Sequence, residues 1–367
     1  MAMNRIAAAF AATLLATAAH AAEPVRIGIT TILSGPFADR GQSEQYGAQI
    51  ALDQVNEAGG VLGRPVEAYY ADNACDPKVG VPATERLLQQ EHVPVVIGAL
   101  CTPVTHAIMP VMAAAKVPLI IATSAGQDFV DASGVGGNAF AWKTIPSETD
   151  IARGLLDYLA KQDVDKLAIV ADDNGFSRAN ALGFARIAGE MGIHVMTTVI
   201  VAAKTTDFAP IVAQLKAAEP EQVLSLLGPS SSGFFKALAA SGWDVPVTGR
   251  LDLPAAIAAW PAAKLTSVAV FTPISPGVQA FVASYRAHTG LVPTQRSFFV
   301  YEAVLLAVDA IRRAGSDTPD AIETALKTTT MPSLLGGTYK MDDHNHPHMP
   351  LSILGVKDGK PAVIATQ

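Results

Sequence analysis

Two cysteines and the polar groups that follow several apolar runs are the residues of this 367-residue chain that could do chemistry. Cys75 stands in Ala71-Asp72-Asn73-Ala74-Cys75-Asp76-Pro77, and Cys101 in Val95-Val96-Ile97-Gly98-Ala99-Leu100-Cys101-Thr102-Pro103. Paired, they would staple two strand ends, and closing a loop of this length would stabilise the fold by roughly 3–4 kcal/mol in an oxidising compartment. Thr102 sits where a strand gives way to a helix, so its hydroxyl and backbone N–H make a seat for a carboxylate. Arg40, in Asp39-Arg40-Gly41, offers a guanidinium able to clamp a carboxylate with two hydrogen bonds. His344, His346 and His348 alternate in a way that could hold a transition metal. They are interspersed with Asp342, Asp343, Asn345 and Pro347, which is turn chemistry, and the favoured reading is a solvated loop without metal. No P-loop, zinc motif or nucleophile elbow is visible, so neither catalysis nor a cofactor is expected.

The compartment is written at the N-terminus. Met1 to Arg5 is basic, Ile6 to Ala19 is apolar, and Ala19-His20-Ala21 fits the small-x-small pattern of a cleavage site, which makes residues 1–21 a secretory signal peptide. The apolar run is shorter than the roughly 20 residues a membrane span needs, and no cysteine follows the cleavage site to carry a lipid. A soluble protein outside the cytoplasm is expected. The composition, 50% hydrophobic and 16% charged, supports a large core, and the net charge of -7 argues against nucleic acid as a partner.

Positioning those residues requires a regular scaffold. From Val25 onward short apolar runs alternate with helical periodicity, the grammar of a parallel sheet covered by helices. Strands are predicted at Val25 to Thr30, Val66 to Tyr70, Val95 to Gly98 and Pro118 to Ile121. Helices are predicted to Ala58, over Lys78 to Gln90, and over Thr102 to Ala115 with Thr102 as cap and Pro103 at the first helical position. After Trp142 and Lys143 a second array begins, with helices near Ser147 to Lys161, Ser177 to Met191 and Asp207 to Ala218 between strands at Leu167 to Ala171, His194 to Val201 and Gln222 to Leu227. Two strong helices, Val278 to His288 and Ser297 to Ala314, follow. The expected fold is α/β, two Rossmann-like lobes joined by a hinge that the chain crosses several times. The expected boundaries are 22–143 with 272–330 for the first lobe and 144–271 with 331–367 for the second. Open parallel sheets bind ligands beyond the carboxyl ends of their strands, so the loops at Ser34 to Gly41, Leu100 to Thr102 and Ala122 to Gly126 should face a cleft.

Several phrases, at these spacings, resemble one family: Ser34-Gly35-Pro36 with Gly41, then Asn56-Glu57-Ala58-Gly59-Gly60-Val61-Leu62-Gly63-Arg64-Pro65, then Asp72-Asn73-Ala74-Cys75-Asp76-Pro77, then Ile97-Gly98 with Cys101. The chain is similar, from Val25 to about Tyr339, to the periplasmic solute-binding proteins of branched-chain amino-acid ABC transporters, with the type I periplasmic-binding fold. The resemblance implies a Cys75–Cys101 disulfide like that of Leu/Ile/Val-binding proteins. It implies ligand contacts from Thr123 and Ser124, whose loop matches one that contacts ligand in the amino-acid binders, and from Phe176, an aromatic cover in Asp172-Asp173-Asn174-Gly175-Phe176. Arg40 stands where such binders commonly carry an aromatic residue. The segment Gly228-Pro229-Ser230-Ser231-Ser232 lacks the tyrosines expected of a Leu/Ile/Val binder, and Ser230 leaves more room. An ammonium group wants an acidic partner near Arg250-Leu251-Asp252, where the family usually offers Glu and only Asp252 could serve.

The resulting expectation is a monomeric, non-catalytic protein that captures a small apolar amino acid between its lobes and presents it to the permease subunits of an ABC importer. An aromatic or aliphatic carboxylate without an ammonium group is the alternative ligand, motivated by Arg40 and the missing Glu. A ligand sensor of the same fold is disfavoured by a chain ending at Gln367 without a signalling module. An exported hydrolase is disfavoured by the lack of a nucleophile and base.

Overall fold

The computed structural model describes residues 23–202, 204–228 and 230–367; the expected signal peptide lies outside them. Two doubly wound halves follow one another. The first comprises β1 (Val25–Thr31), α1 (Ala38–Glu57), β2 (Val66–Asp72), α2 (Pro77–Gln89), β3 (Val96–Ile97), α3 (Thr102–Ala115), β4 (Leu119–Ile121), α4 (Gln127–Asp131) and β5 (Ala141–Lys143). The second comprises α5 (Glu148–Ala160), β6 (Lys166–Asp172), α6 (Gly175–Glu190), β7 (His194–Val201), α7 (Ala209–Ala217), β8 (Gln222–Leu226), α8 (Ser231–Ser241), β9 (Val247–Gly249), α9 (Leu253–Ala259) and β10 (Leu265–Ala269). The chain then supplies α10 (Gln279–Thr289), α11 (Gln295–Ala314), α12 (Pro319–Lys327), a short hairpin of β11 (Met331–Pro332) and β12 (Thr338–Tyr339), and finally β13 (Ser352–Lys357) and β14 (Lys360–Thr366).

The first sheet has the order β2-β1-β3-β4-β5, all parallel. In the second, β7-β6-β8-β9-β10 repeats that order in parallel, and β13 and β14 extend it antiparallel beyond β10. Both sheets carry helices on their faces, which is why their strands read as nearly unbroken apolar runs. Ile27, Ile29, Ile97, Ile120, Leu167, Ile169 and Leu224 are all at most 1% exposed. The chain passes between the sheets after β5, after β10 and again before β13, the multiple crossing that the two arrays implied.

Helix α11 is the packing spine of the first lobe, and its Phe298, Phe299, Val304, Ala307 and Ile311 are buried. It lies directly on α1, and Gly47 makes this approach possible: a Cβ there would fall 2.0 Å from the Ser297 carbonyl oxygen. Phe271, on the crossing after β10, stacks on Phe298 with ring centroids 4.7 Å apart and meets Phe281 edge-on. Such pairs add roughly 0.5–1.5 kcal/mol beyond the area they bury, so this crossing is held firmly to the first lobe. Glu302 of α11 accepts the Ser333 and Tyr339 hydroxyls and the Leu334 N–H, which seats the β11–β12 hairpin on the same helix.

Local signals explain where helices start. Asp76 caps α2 by accepting the Lys78 N–H, Ser147 and Asp150 close a reciprocal capping box at α5, and Asn174 caps α6. The cap of α3 is Cys101, and Thr102 is the first helical residue, one position from the expected assignment. Cys75 and Cys101 are bonded to each other across a separation of 26 residues, with Cα atoms 5.4 Å apart. The bridge joins the approach to α2 to the cap of α3. Replacing both by serine is expected to lower the unfolding free energy by about 3–4 kcal/mol. Denaturant titration of the variant and the oxidised protein checks this, and equal midpoints would show that the bridge adds nothing.

Candidate functional site

The carboxyl ends of the two sheets face a cavity of about 790 Å³. From the first lobe it is lined by Leu100 and Thr102 beyond β3, by Thr123 to Asp128 beyond β4, and by Gln295 and Arg296 at the start of α11. From the second it is lined by Glu148, Thr149 and Ala152 of α5, by Gly175 and Phe176 beyond β6 with Ala179, Asn180, Phe184 and Ile187 further along α6, and by Arg250 beyond β9. The walls differ in character. The first lobe contributes main-chain and hydroxyl groups at a helix start, and α6 contributes a mainly apolar surface in which Asn180 and Arg186 are also set.

Thr102, Thr123, Ser124 and Phe176 are brought together in these walls. Pro103 has no N–H, and the Val104 and Thr105 N–H groups already donate to the Cys101 carbonyl, which leaves the Thr102 N–H and hydroxyl as the donors this helix start offers. The Thr123 hydroxyl donates to Glu44 Oε1 at 2.8 Å. Ser124 is 3% exposed and its hydroxyl donates to the Ala99 carbonyl at 2.9 Å, so its side chain is spent on structure and only its main chain is left for the cleft. Phe176, 61% exposed, stands on the first turn of α6 with one edge of the cavity behind it.

Arg40, Ser230 and Asp252 are placed outside the lining residues. Arg40 is on α1, exposed, with its guanidinium 4.5 Å over the Phe37 ring. Ser230 donates its hydroxyl to Asp172, whose second oxygen accepts the Gly228 N–H at 2.7 Å, so the ends of β6 and β8 are tied to each other. Asp252 caps α9 by accepting the Ala255 N–H at 3.2 Å. The histidine run also departs from expectation. His344 and His348 are exposed, but His346 is 1% exposed and lies 2.6 Å from Asp150, because its segment runs along the crossing after β5 instead of standing in solvent.

Five charged residues that the sequence does not mark as ligand contacts also line the cavity: Asp128, paired with His106, Arg186, paired with Glu190, and Glu148, Arg250 and Arg296. Glu148 and Arg250 form an ion pair, Nη1 reaching Oε1 at 2.9 Å and Oε2 at 3.2 Å. Arg250 heads the tripeptide that ends in Asp252, and Glu148 lies in the capping phrase at the start of α5. Arg296 forms no salt bridge among the described residues. Burial and the charge of Arg40 lower its affinity for its proton, while Glu44 and Asp39 oppose them.

Two buried ionisable groups stand behind the first-lobe wall. Glu44 is 1% exposed and burial pushes its carboxyl up to about 7, against the Thr31 and Thr123 hydroxyls and the Arg296 charge. Lys143 is fully buried and burial pushes its ammonium down to about 7, against the attraction of Asp150, Glu148 and Asp128. A carboxyl whose folded pKa is raised binds its proton more tightly in the native state. Its contribution is therefore fully present below about pH 4.5 and is lost as pH rises towards 7, by about 3 kcal/mol in all. Lys143, with a lowered pKa, acts in the opposite sense and only above about pH 7. Glu44→Gln, which keeps the shape and the hydroxyl partners, is expected to gain on the native protein by up to about 3 kcal/mol between pH 4.5 and 7. Urea midpoints of the two proteins across that window measure the difference, and parallel curves would refute a buried, proton-binding Glu44.

Comparison with known proteins agrees with this architecture. The profile of the periplasmic binding protein family matches residues 24–361. A Leu/Ile/Val-binding protein homolog of Brucella melitensis is 31% identical over 217 residues, 59% of this chain and 57% of that protein. The leucine-, isoleucine-, valine-, threonine- and alanine-binding protein of Pseudomonas aeruginosa is 24% identical over 357 residues, 91% of this chain and 90% of that protein. The crystal structure of an ABC transporter substrate-binding protein of Desulfitobacterium hafniense in complex with Leu aligns with a TM-score of 0.77 at 21% identity, covering 93% of this chain and all of that one. With two like-ordered parallel sheets facing a shared cleft and a family match over nearly the whole chain, the protein belongs to the periplasmic binding proteins.

Proposed function

We propose that the chain is the extracytoplasmic solute-binding component of an ABC importer and that its cleft takes a small apolar amino acid of the branched-chain type. The observation that carries this reading is the composition of the two walls. Closing one on the other would pair a carboxylate seat with an apolar face. The ligand carboxylate is assigned to the Thr102 N–H and hydroxyl, with Arg296 as the compensating charge. Its ammonium group is assigned to the Glu148 carboxylate, which Arg250 holds in place. The side chain is assigned to Phe176, Phe184 and Ile187. Relatives named for leucine, isoleucine and valine, and the leucine complex of the Desulfitobacterium protein, support the ligand class. The partners proposed are the permease subunits of the importer, which would meet the monomeric protein when ligand holds the lobes closed.

Thermal shift of the ligand-stripped protein tests the reading. A ligand present at 100 times its dissociation constant adds about 2.7 kcal/mol, a rise of several degrees in melting temperature. Leucine, isoleucine or valine is expected to give that rise, and a response to benzoate-like acids with none to amino acids would overturn the assignment of Glu148 and of the ligand class. Calorimetric titration of Arg296→Gln with the stabilising amino acid is expected to show binding weakened by about 10- to 100-fold, the scale of one lost charge-assisted hydrogen bond. Phe176→Ala should weaken binding by a smaller factor while leaving the fold intact, since the ring is largely exposed.

A further inference from the structure

The hinge carries a cluster that the cleft does not use. Asp150, in the first turn of α5, accepts at Oδ2 the Ser147 N–H at 2.8 Å and the Ser147 hydroxyl at 2.7 Å, and the same oxygen lies 2.6 Å from His346 Nε2. Its Oδ1 lies 3.1 Å from His348 Nδ1. One donor atom from each of Asp150, His346 and His348 can be chosen so that all three lie within 4.8 Å of one another. Behind His348, Nε2 lies 3.2 Å from Asp342 Oδ2, and Asp342 Oδ1 accepts the N–H groups of His344 and His346 at 2.8 and 3.0 Å, which fixes the turn that presents both rings.

His348 therefore has a carboxylate against each ring nitrogen. A neutral imidazole has one N–H. With one N–H on the ring, the other nitrogen presents its lone pair to a carboxylate oxygen, 3.1 Å away at Asp150 or 3.2 Å away at Asp342. A cation between them turns this repulsion into coordination. A carboxylate behind an imidazole is also the arrangement that fixes the tautomer and raises the basicity of metal-binding histidines.

We propose that Asp150, His346 and His348 bind one divalent transition-metal ion of zinc-like preference. Two imidazoles and one carboxylate suit zinc, cobalt or nickel better than calcium or magnesium, which favour oxygen ligands. Bonds of about 2.0–2.2 Å around a tetrahedron place neighbouring donors roughly 3.4 Å apart, so the two short contacts need open by less than about 1 Å. The His348 side chain is 68% exposed, which gives the ion an entry path and leaves a fourth position for water. His346 is 1% exposed, and its Nδ1 has no partner among the described residues. Coordination through Nε2 requires the one ring hydrogen of the neutral imidazole to move from Nε2 to that unpartnered Nδ1, with no net proton gained or lost by the ring. His344 is not a ligand, since its Nδ1 faces the Ser133 carbonyl at 3.3 Å. A bound ion would cross-link α5 of the second lobe to the last crossing of the chain.

Cobalt titration of the full, tag-free chain after chelator treatment tests the site. Stoichiometric uptake is expected, with the visible absorption of a four-coordinate cobalt ion, displaced by zinc and accompanied by a raised melting temperature. His348→Ala, at an exposed position that leaves folding undisturbed, should abolish uptake at concentrations that saturate the native protein. Asp342→Asn should weaken it by about 10- to 100-fold, the scale of a lost carboxylate behind a ligating histidine. His344→Ala should bind as the native protein does. Absence of a spectrum and of a melting shift at millimolar cobalt and zinc would overturn the proposal, as would undiminished uptake by His348→Ala.

Discussion

The buried ammonium group of Lys143 ties together three parts of the chain that have to agree. Its Nζ donates to the Ser124 carbonyl at 2.5 Å, its backbone N–H donates to the Asn345 carbonyl at 3.0 Å, and it ends β5, where the chain first leaves one lobe for the other. The loop that floors the cleft, the first crossing and the last crossing are thus fixed by one residue. A lone cation without exposure is costly, and here Asp150, Glu148 and Asp128 offset the cost from the second lobe and the cleft rim, with the Phe129 ring 5.8 Å away.

The same economy runs through the cleft. Glu44 lies behind Thr123 as Lys143 lies behind Ser124, so the loop after β4 is held from beneath by one acid and one base. Its hydroxyls face inward to hold that loop, which leaves main-chain groups, the Thr102 donors and Arg296 for a guest. The first-lobe wall is held rigidly from beneath, whereas α6 presents an exposed aromatic edge to the same cavity. The backbone crosses three times between the lobes, and the aromatic cluster around Phe271 anchors one crossing to the first lobe.

Much of the fold was legible because its signals are local or periodic. The apolar runs of β1, β4, β6 and β8 and the glycine pair Gly59-Gly60 after α1 declare themselves, and Cys75 and Cys101 stand in phrases that mark strand ends. Thr102, Thr123 and Phe176 could be placed near the cleft because a parallel sheet binds at its carboxyl edge, and position along the chain gives that edge. Arg40, Ser230 and Asp252 lie on the right loops or beside them, but their side chains are taken by Phe37, Asp172 and the first turn of α9. A sequence gives the loop a residue belongs to and is silent on which neighbour consumes its polar atoms.

By itself, then, the sequence determined the succession of strands and helices in two α/β arrays and the general place of the cleft, which follow from hydrophobic period and caps, and it offered one cysteine pair that could close a bridge. Only the tertiary structure decided that Arg296 from a distant helix reaches the cleft, that Glu148 is held by Arg250, and that His346 is buried beside Asp150. Those contacts join residues 102 or more positions apart, and their existence depends on how the three crossings bring separate segments together, a matter of packing that no local pattern encodes.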